Sequence, residues 1–327
     1  MNIPKLDLKD RRILHTLDRN PNALLTDIAK KALISKQVAE YRLRKLIEQK
    51  TAYGFFTVVN PGKLNYALFR IHIKLKNVSS ESYTRFAHTL FNEHPTFWVG
   101  FISGSFDIIA DLWAHNVNEF QKILTEILQD HKEIIYSYEV FPIISLDMYS
   151  YGYFLEKYSS KKQIPVFRQE ATEKISARDK NILHMIKRNS RLFYEEIGKK
   201  VGLTRNAVKY RIQQLEKKGI ITGYQMMIDF RHFHRLSYKI LIAYDHAYIN
   251  QEKDVLLFIR QHTSTLAQAR LLGRWNLDIE LQPRDAKELQ EFVIELRNRH
   301  PLVKEYELIQ IIEDYGLDFF PEKLESP

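Results

Sequence analysis

Apolar residues recur at helical spacing behind an acidic start in two places. Ile13, Leu14 and Leu17 follow Asp7 and Asp10, and Ile182, Leu183 and Ile186 follow Ser176-x-x-Asp179, a variant capping box whose acidic turn suits the helix dipole. Each stripe predicts an amphipathic helix. Asn20-Pro21-Asn22 and Asn189-Ser190-Arg191 break it, and short helices are predicted over 26–31 and 194–200. A tight turn follows at Ala32-Leu33-Ile34 and at Val201-Gly202-Leu203, where Gly202 supplies the permissive backbone. Ser35 and Thr204 then cap a third helix, whose inward stripe is Ala39, Leu43 and Leu46 in one copy and Val208, Ile212 and Leu215 in the other. Short strands over 51–59 and 220–228, around Gly54 and Gly223, predict a wing.

Beyond each three-helix head the period changes. Strands alternating in and out, as at Ile71, Ile73 and Leu75, interleave with helical spacing. The order in the first copy is strand 69–75, helix 80–92, strand 97–103, strand 106–114, helix 118–131 and strand 134–144. In the second it is 238–244, 251–261, 266–272, 275–282, 286–299 and 303–312. This is β-α-β-β-α-β, the ferredoxin-like arrangement, with Gly104 and Gly273 where the two central strands turn. The expected fold is α+β: two winged helix-turn-helix heads over 1–63 and 174–235 alternate with two ferredoxin-like domains over 64–147 and 236–327, joined by a connector over 148–173.

The two halves are copies. At an offset of 169, Asp10, Ile13, Leu14 and His15 match Asp179, Ile182, Leu183 and His184. Arg19-Asn20, Lys30-Lys31 and Tyr41-Arg42 match Arg188-Asn189, Lys199-Lys200 and Tyr210-Arg211, and Gly104 matches Gly273. The period is far too long for a solenoid, so a whole two-domain unit has been duplicated.

Composition narrows the function. The 327 residues are 45% hydrophobic and 27% charged, which is ordinary globular usage. There is no cysteine, which removes disulfides, thiol nucleophiles and thiolate zinc sites. Neither a signal peptide nor a run of membrane-spanning length is visible, so a cytoplasmic location is expected. The net charge of +9 is unevenly spread: residues 1–63 carry +7 and 174–235 carry +10, whereas 64–173 carry −3 and 236–327 carry −5. A basic excess placed twice at matching points of a repeat points to a polyanion, because neutralising phosphates releases condensed counterions.

The chemistry lies on the outward face of each third helix. In the first head this face presents Ser35, Lys36, Gln37, Tyr41 and Arg44, and in the second Thr204, Arg205, Asn206, Lys209, Tyr210 and Gln213. Arg and Lys suit guanine edges in a major groove, Gln and Asn suit adenine, and tyrosine hydroxyls suit phosphate. Arg42 and Arg211 are expected near phosphates. The faces differ: Gln37 opposes Asn206, Glu40 opposes Lys209, and Arg44 opposes Gln213. No metal site or cofactor is expected, since His232 and His234 have no partner ligand at a characteristic spacing and read as a surface loop. His15 and His184 read as half-buried helix residues or neighbours of backbone phosphates. The aromatic connector residues Tyr149, Tyr151, Tyr153, Phe154 and Tyr158 are expected to pack on the sheet. Walker loops, nucleophile elbows and dinucleotide fingerprints are absent.

Head and companion together resemble the Lrp/AsnC family of feast-or-famine regulators. The phrases carrying the likeness are Asp10-Arg11-Arg12-Ile13-Leu14, Ile28-Ala29-Lys30-Lys31, and Gly104-Ser105-Phe106-Asp107-Ile108. In the second copy, Gly202-Leu203-Thr204-Arg205 and Leu215-Glu216-Lys217-Lys218-Gly219 carry it. The resemblance implies transcriptional regulation on double-stranded DNA, self-association through the companion (RAM-type) domains, and a small effector, typically an amino acid, with Gly104 and Asp107 as the effector-site residues. Two departures stand out. One chain carries two heads, hence a covalent pseudo-dimer, and the Gly-x-x-Asp phrase becomes Gly273-Arg274-Trp275-Asn276 in the second copy. Two other readings share the domain order. One is a sirohaem-decarboxylase-like enzyme, disfavoured by the lack of a His-rich or Arg-rich motif in the Gly104 and Gly273 strands. The other is an effector-sensing or protein-interaction module that does not touch DNA.

Overall fold

The computed structural model describes residues 4–76, 79–155 and 161–321. The first head consists of α1 (Leu8–Arg19), α2 (Leu25–Ala32), α3 (Lys36–Glu48) and β1 (Ala52–Val59). Its companion runs β2 (Ala67–Leu75), α4 (Ser80–Glu93), β3 (Thr96–Ser103), β4 (Ile108–Ala114), α5 (Val117–Asp130) and β5 (Ile135–Tyr149), and the connector adds β6 (Gln163–Arg168). The second head is α6 (Ala177–Ile186), α7 (Tyr194–Val201), α8 (Arg205–Lys217) and β7 (Ile221–Ile228). Its companion is β8 (Tyr238–Tyr244), α9 (Glu252–Gln261), β9 (Thr265–Leu271), β10 (Leu277–Leu281), α10 (Ala286–Arg299) and β11 (Val303–Leu317).

The helix starts follow from their caps. Asp7 accepts the Asp10 N–H while Asp10 accepts the Asp7 N–H, and Ser176 and Asp179 repeat the exchange at α6. Ser35 accepts the Val38 N–H and Thr204 the Ala207 N–H, each cap worth about 1 kcal/mol. The turn before each third helix passes through left-handed backbone, at Gly202 (φ 67°) in one head and Leu33 (φ 56°) in the other.

The strands predicted as a wing find their partner in the other half. β1 and β7 form an antiparallel ribbon, Phe55 opposite Met226 and Thr57 opposite Tyr224. Each head has a single strand, and its edge N–H and C=O groups are satisfied by the copy. The exchange extends into the cores. Met226 and Ile228 of β7 pack with Ile13, Leu17, Ala39 and Leu46 of the first head. Val59 of β1 packs with Ile182, Ile197, Val208 and Leu215 of the second.

Below the ribbon, β2, β4, β3, β11, β8, β10, β9 and β5 pair in that order, and β5 also pairs with β2. Eight strands from both companions thus close into one ring, and all their pairings are antiparallel. The last strand of each companion crosses over: β5 leaves β2 for β9, and β11 leaves β8 for β3. Phe69, Ile71, Ile73 and Leu75 of β2 face α4 and α5, and Ile240, Ile242 and Tyr244 of β8 face α9 and α10. The alternate positions, Leu68 and Leu241 among them, join Trp98, Trp113, Ile309 and the underside of the ribbon in a third core shared by both halves.

The connector is a structural element. β6 pairs with the end of β5, Met148 opposite Ile164, and tolerates Pro165 because it lies at the sheet's edge. Tyr149, Tyr151 and Phe154 are buried. Tyr151 and Phe154 pack in the core of the first head, rather than on the sheet alone as expected. Tyr158 lies outside the described residues. No helix among the described residues is long and apolar enough to cross a membrane.

Candidate nucleic-acid interface and the cavity between the halves

Both third helices present their polar face to solvent. Ser35, Lys36, Gln37, Tyr41 and Arg44 are exposed, as are Thr204, Arg205, Asn206, Lys209, Tyr210 and Gln213. Tyr41 and Tyr210, 59% and 62% exposed, are large aromatic rings left uncovered at matching points. Arg205 makes an exposed ion pair, Nε to Glu195 Oε1 at 3.1 Å, which is weak enough to exchange for a better acceptor. Lys30, Lys31, Lys199 and Lys200 are exposed at the ends of α2 and α7, flanking the turn.

Arg42 and Arg211 are placed differently from the phosphate-facing expectation. Arg42 Nη1 donates to Asp7 Oδ2 at 2.9 Å and Asp10 Oδ1 at 2.8 Å. Arg211 Nη1 donates to Asp179 Oδ1 at 2.8 Å and Ser176 Oγ at 3.2 Å. In each head the arginine therefore ties the third helix to the capping box of the first, which fixes the angle of the outward polar face. The two heads also touch directly: Ser190 Oγ donates to Asn22 Oδ1 at 2.8 Å, Arg191 Nη1 donates to the Pro21 carbonyl at 2.7 Å, and the Arg191 guanidinium lies over Phe55.

Gly104 stands at the β3–β4 turn with φ 149°. Asp107 accepts the Leu75 N–H at 2.7 Å and lies 3.1 Å from Lys74 Nζ, so its carboxylate organises the adjacent strand end. His234 is exposed, but His232 is not a surface-loop residue: it is buried, with Nδ1 3.0 Å from Thr51 Oγ1, because the ribbon folds over it. Among the described residues no group of three His, Asp or Glu could hold a metal ion.

A second feature lies inside the strand ring and was not expected. Arg70 of β2 is directly opposite Asp111 of β4, and Lys239 of β8 is opposite Glu280 of β10. These are corresponding pairs of the repeat, yet they have diverged in geometry. Arg70 grips both oxygens of Asp111 at 2.7 Å. It also contacts Asp278, whose counterpart in the first copy is Ile109. Lys239 reaches Asp278 at 3.4 Å and lies 3.7 Å from Glu280. Burial pushes the Glu280 carboxyl up to about 7, and the neighbouring Asp314 and Asp278 add to the rise. Asp278 is held below the usual range: burial works to raise it, and Lys239 and Arg70 prevail. The matched charges at offset 169 were the available signal. It was hidden because charged residues alternating with an apolar stripe normally face water.

Residues 6–49 and 175–222 each match the family model for winged helix-turn-helix DNA-binding domains. The HTH-type transcriptional regulator LrpA of Pyrococcus horikoshii is 44% identical over 55 residues, 17% of this chain and 39% of that protein. An uncharacterised HTH-type transcriptional regulator of the same organism is 25% identical over 140 residues, 42% of this chain and 86% of that protein. Two other Pyrococcus regulators are matched over only 33% of their own length. Among solved structures, the siroheme decarboxylase NirDL is similar with a TM-score of 0.61 at 12% identity, covering 95% of this chain and 92% of that one. At that identity the likeness is one of fold.

Proposed function

We propose that this chain, a tandem duplicate of the Lrp/AsnC type, is a double-stranded-DNA-binding transcriptional regulator whose two unlike recognition helices read two unlike half-sites. The observation that carries this reading is the pair of solvent-exposed basic and amide-bearing faces on α3 and α8, each clamped to its own first helix by Arg42 or Arg211. Lys36, Gln37, Tyr41 and Arg44 would contact one half-site, and Arg205, Asn206, Lys209, Tyr210 and Gln213 the other. The ribbon joining the heads supports a pseudo-dimer acting as a single reader. Tyr136, Tyr138, Leu308 and Ile312, exposed on β5 and β11, support further self-association through the companions, which light scattering would detect.

The likeness to a decarboxylase is one of fold, and the interior of this chain favours the regulator reading. The cavity between the halves, about 70 Å³, is far below the several hundred Å³ typical of sites for large organic ligands, and its surplus of carboxylates repels a polycarboxylate macrocycle.

The test is fluorescence anisotropy on selected DNA at two salt concentrations. Arg205→Ala should relax preference at one base position by about 1–3 kcal/mol, and Lys199→Ala should weaken all sequences alike. Uniform loss in both variants, or affinity indifferent to salt, contradicts the reading.

A further inference from the structure

The cavity between the halves is built asymmetrically, and its asymmetry selects a ligand. It lies where the β1–β7 ribbon covers one end of the strand ring, with Phe97, Trp98, Leu146, Met148 and Met227 among its apolar walls. Tyr53 and Asp314 line both this cavity and an adjoining outer groove that also includes Lys50, Arg231 and Glu313. A water needs roughly 10–15 Å³ of such space. The cavity of about 70 Å³ therefore admits a group of a few heavy atoms, with room for the remainder of a small molecule in the groove.

The charges facing this space do not balance. Arg70 and Lys239 are the interior cations, against the carboxylates of Asp111, Asp278 and Glu280, with Asp314 at the mouth. Arg70 is spent on Asp111 and Asp278. Lys239 is drawn toward Asp278, with its ammonium 4.9 Å from the centre of the Trp98 ring. In the groove, Arg231 is bound through two nitrogens to Asp229 at 2.9 Å. Among the described residues the Asp314 carboxylate accepts one hydrogen bond, from Trp98 Nε1 at 2.9 Å. Glu280 keeps a loose ion pair at 3.7 Å. The surplus arises where the copies diverged: Asp278 replaces the matching Ile109, and Asp314, which lies opposite Gly100 as Leu146 lies opposite the matching Ala269, replaces Leu146. Neither gain of an acid came with a matching gain of a base inside the cavity.

We propose that this cavity is a binding site for a small organic cation, an ammonium or guanidinium group that donates to Glu280 and Asp314 and rests against the Trp98 and Tyr53 rings. An anion would find no uncommitted cation among the described residues of the cavity, since Arg70 and Lys239 are engaged by Asp111 and Asp278, and would meet the exposed Asp314 carboxylate at the mouth. A hard metal ion would need several free oxygen ligands, and those of Asp111 and Asp278 are committed to Arg70. An organic cation satisfies the acids and uses the aromatic walls through cation–π attraction. The site does not depend on the DNA-binding reading.

The experiment is titration calorimetry of the full chain, without DNA, against n-butylammonium and 4-guanidinobutylamine, with n-butanol and butyrate as uncharged and anionic counterparts. Saturable one-to-one binding of the cations alone is expected. Glu280→Gln should weaken it at least about tenfold, as for loss of a charge-assisted hydrogen bond. Ala269→Leu, which fills the space and leaves every charge in place, should weaken it as well and serves if Glu280→Gln fails to fold. Lys36→Ala, on the recognition helix, should leave cation binding unchanged, which separates this site from the DNA reading. No saturable binding of either cation, equal binding of butyrate or butanol, or undiminished binding by the Ala269→Leu variant would overturn the proposal.

Discussion

At the residue scale, the duplication provides its own controls. Gly202 and Leu33 occupy the same left-handed position, which costs an L side chain about 1–2 kcal/mol and a glycine almost nothing. Leu33 is 72% exposed, so its side chain contributes little packing in return. Leu33→Gly should raise stability by about 0.5–1 kcal/mol, and Gly202→Leu should lower it by about 1–2, both read from denaturant midpoints. Another matched position has changed sign. Asp18 corresponds to Lys187, and both are buried. Lys187 is neutralised by Asp318 Oδ2 at 2.7 Å. Among the described residues Asp18 accepts only the Tyr151 N–H, and burial pushes its carboxyl up to about 8. A carboxyl whose folded pKa lies above its unfolded one stabilises most in acid, and that contribution is lost as pH rises toward the folded value. Glu280 acts with the same sign up to about 7. Lys161, lowered to about 7 by burial, acts with the opposite sign but only above that pH. His72, lowered to about 3 by burial, also acts with the opposite sign, and does so within the window from about pH 4.5 to 6.5. Asp18→Asn should therefore shift the slope of melting temperature against pH in the positive direction relative to wild type between about pH 4.5 and 7. An unchanged slope would mean that Asp18 is not held in this way. Residues whose role depends on local pattern, such as Ser35 and Thr204 as caps, were legible in the sequence. Arg42, Arg211 and His232 were not, because a basic residue on a polar helix face, or in a turn, looks the same whether it meets solvent or a distant carboxylate or hydroxyl.

At the element scale, the helices and the βαββαβ order could be read from periodicity, whereas the pairing of strands could not. Strand partners are set by contacts distant in sequence, and a lone strand after a third helix reads as a wing. The structure instead gives β1 and β7 to each other and exchanges their apolar residues between heads. That exchange has a crossed signature. Met226 is fully buried in the core of the first head although it belongs to the second. Met226→Ala should cost about 2–5 kcal/mol, and amide exchange should rise in α1–α3 more than in α6–α8. Exchange confined to α6–α8 would contradict the crossed ribbon. β6 escaped the sequence reading because Pro165 argues against a strand in general and is tolerated only at an edge.

At the scale of the whole molecule, two companions close into one ring, and this is why charged strand positions ended up indoors. The alternation at Ile71, Ile73 and Leu75 marks one side of β2, and the structure turns that side, with Phe69, toward α4 and α5. The opposite side, carrying Arg70 and His72, faces the other half rather than water. Covalent linkage leaves the two halves free to differ, both in this interior and on the outward faces of α3 and α8, which a chain that must pair with its own copy cannot do. The central claim is two similar scaffolds carrying two different readers. Selection of bound sequences from a random double-stranded pool tests it most directly. The account predicts enriched sites made of two unequal half-sites, with Arg205→Ala relaxing one half only. Recovery of perfect palindromes, or no enrichment at all, would contradict it.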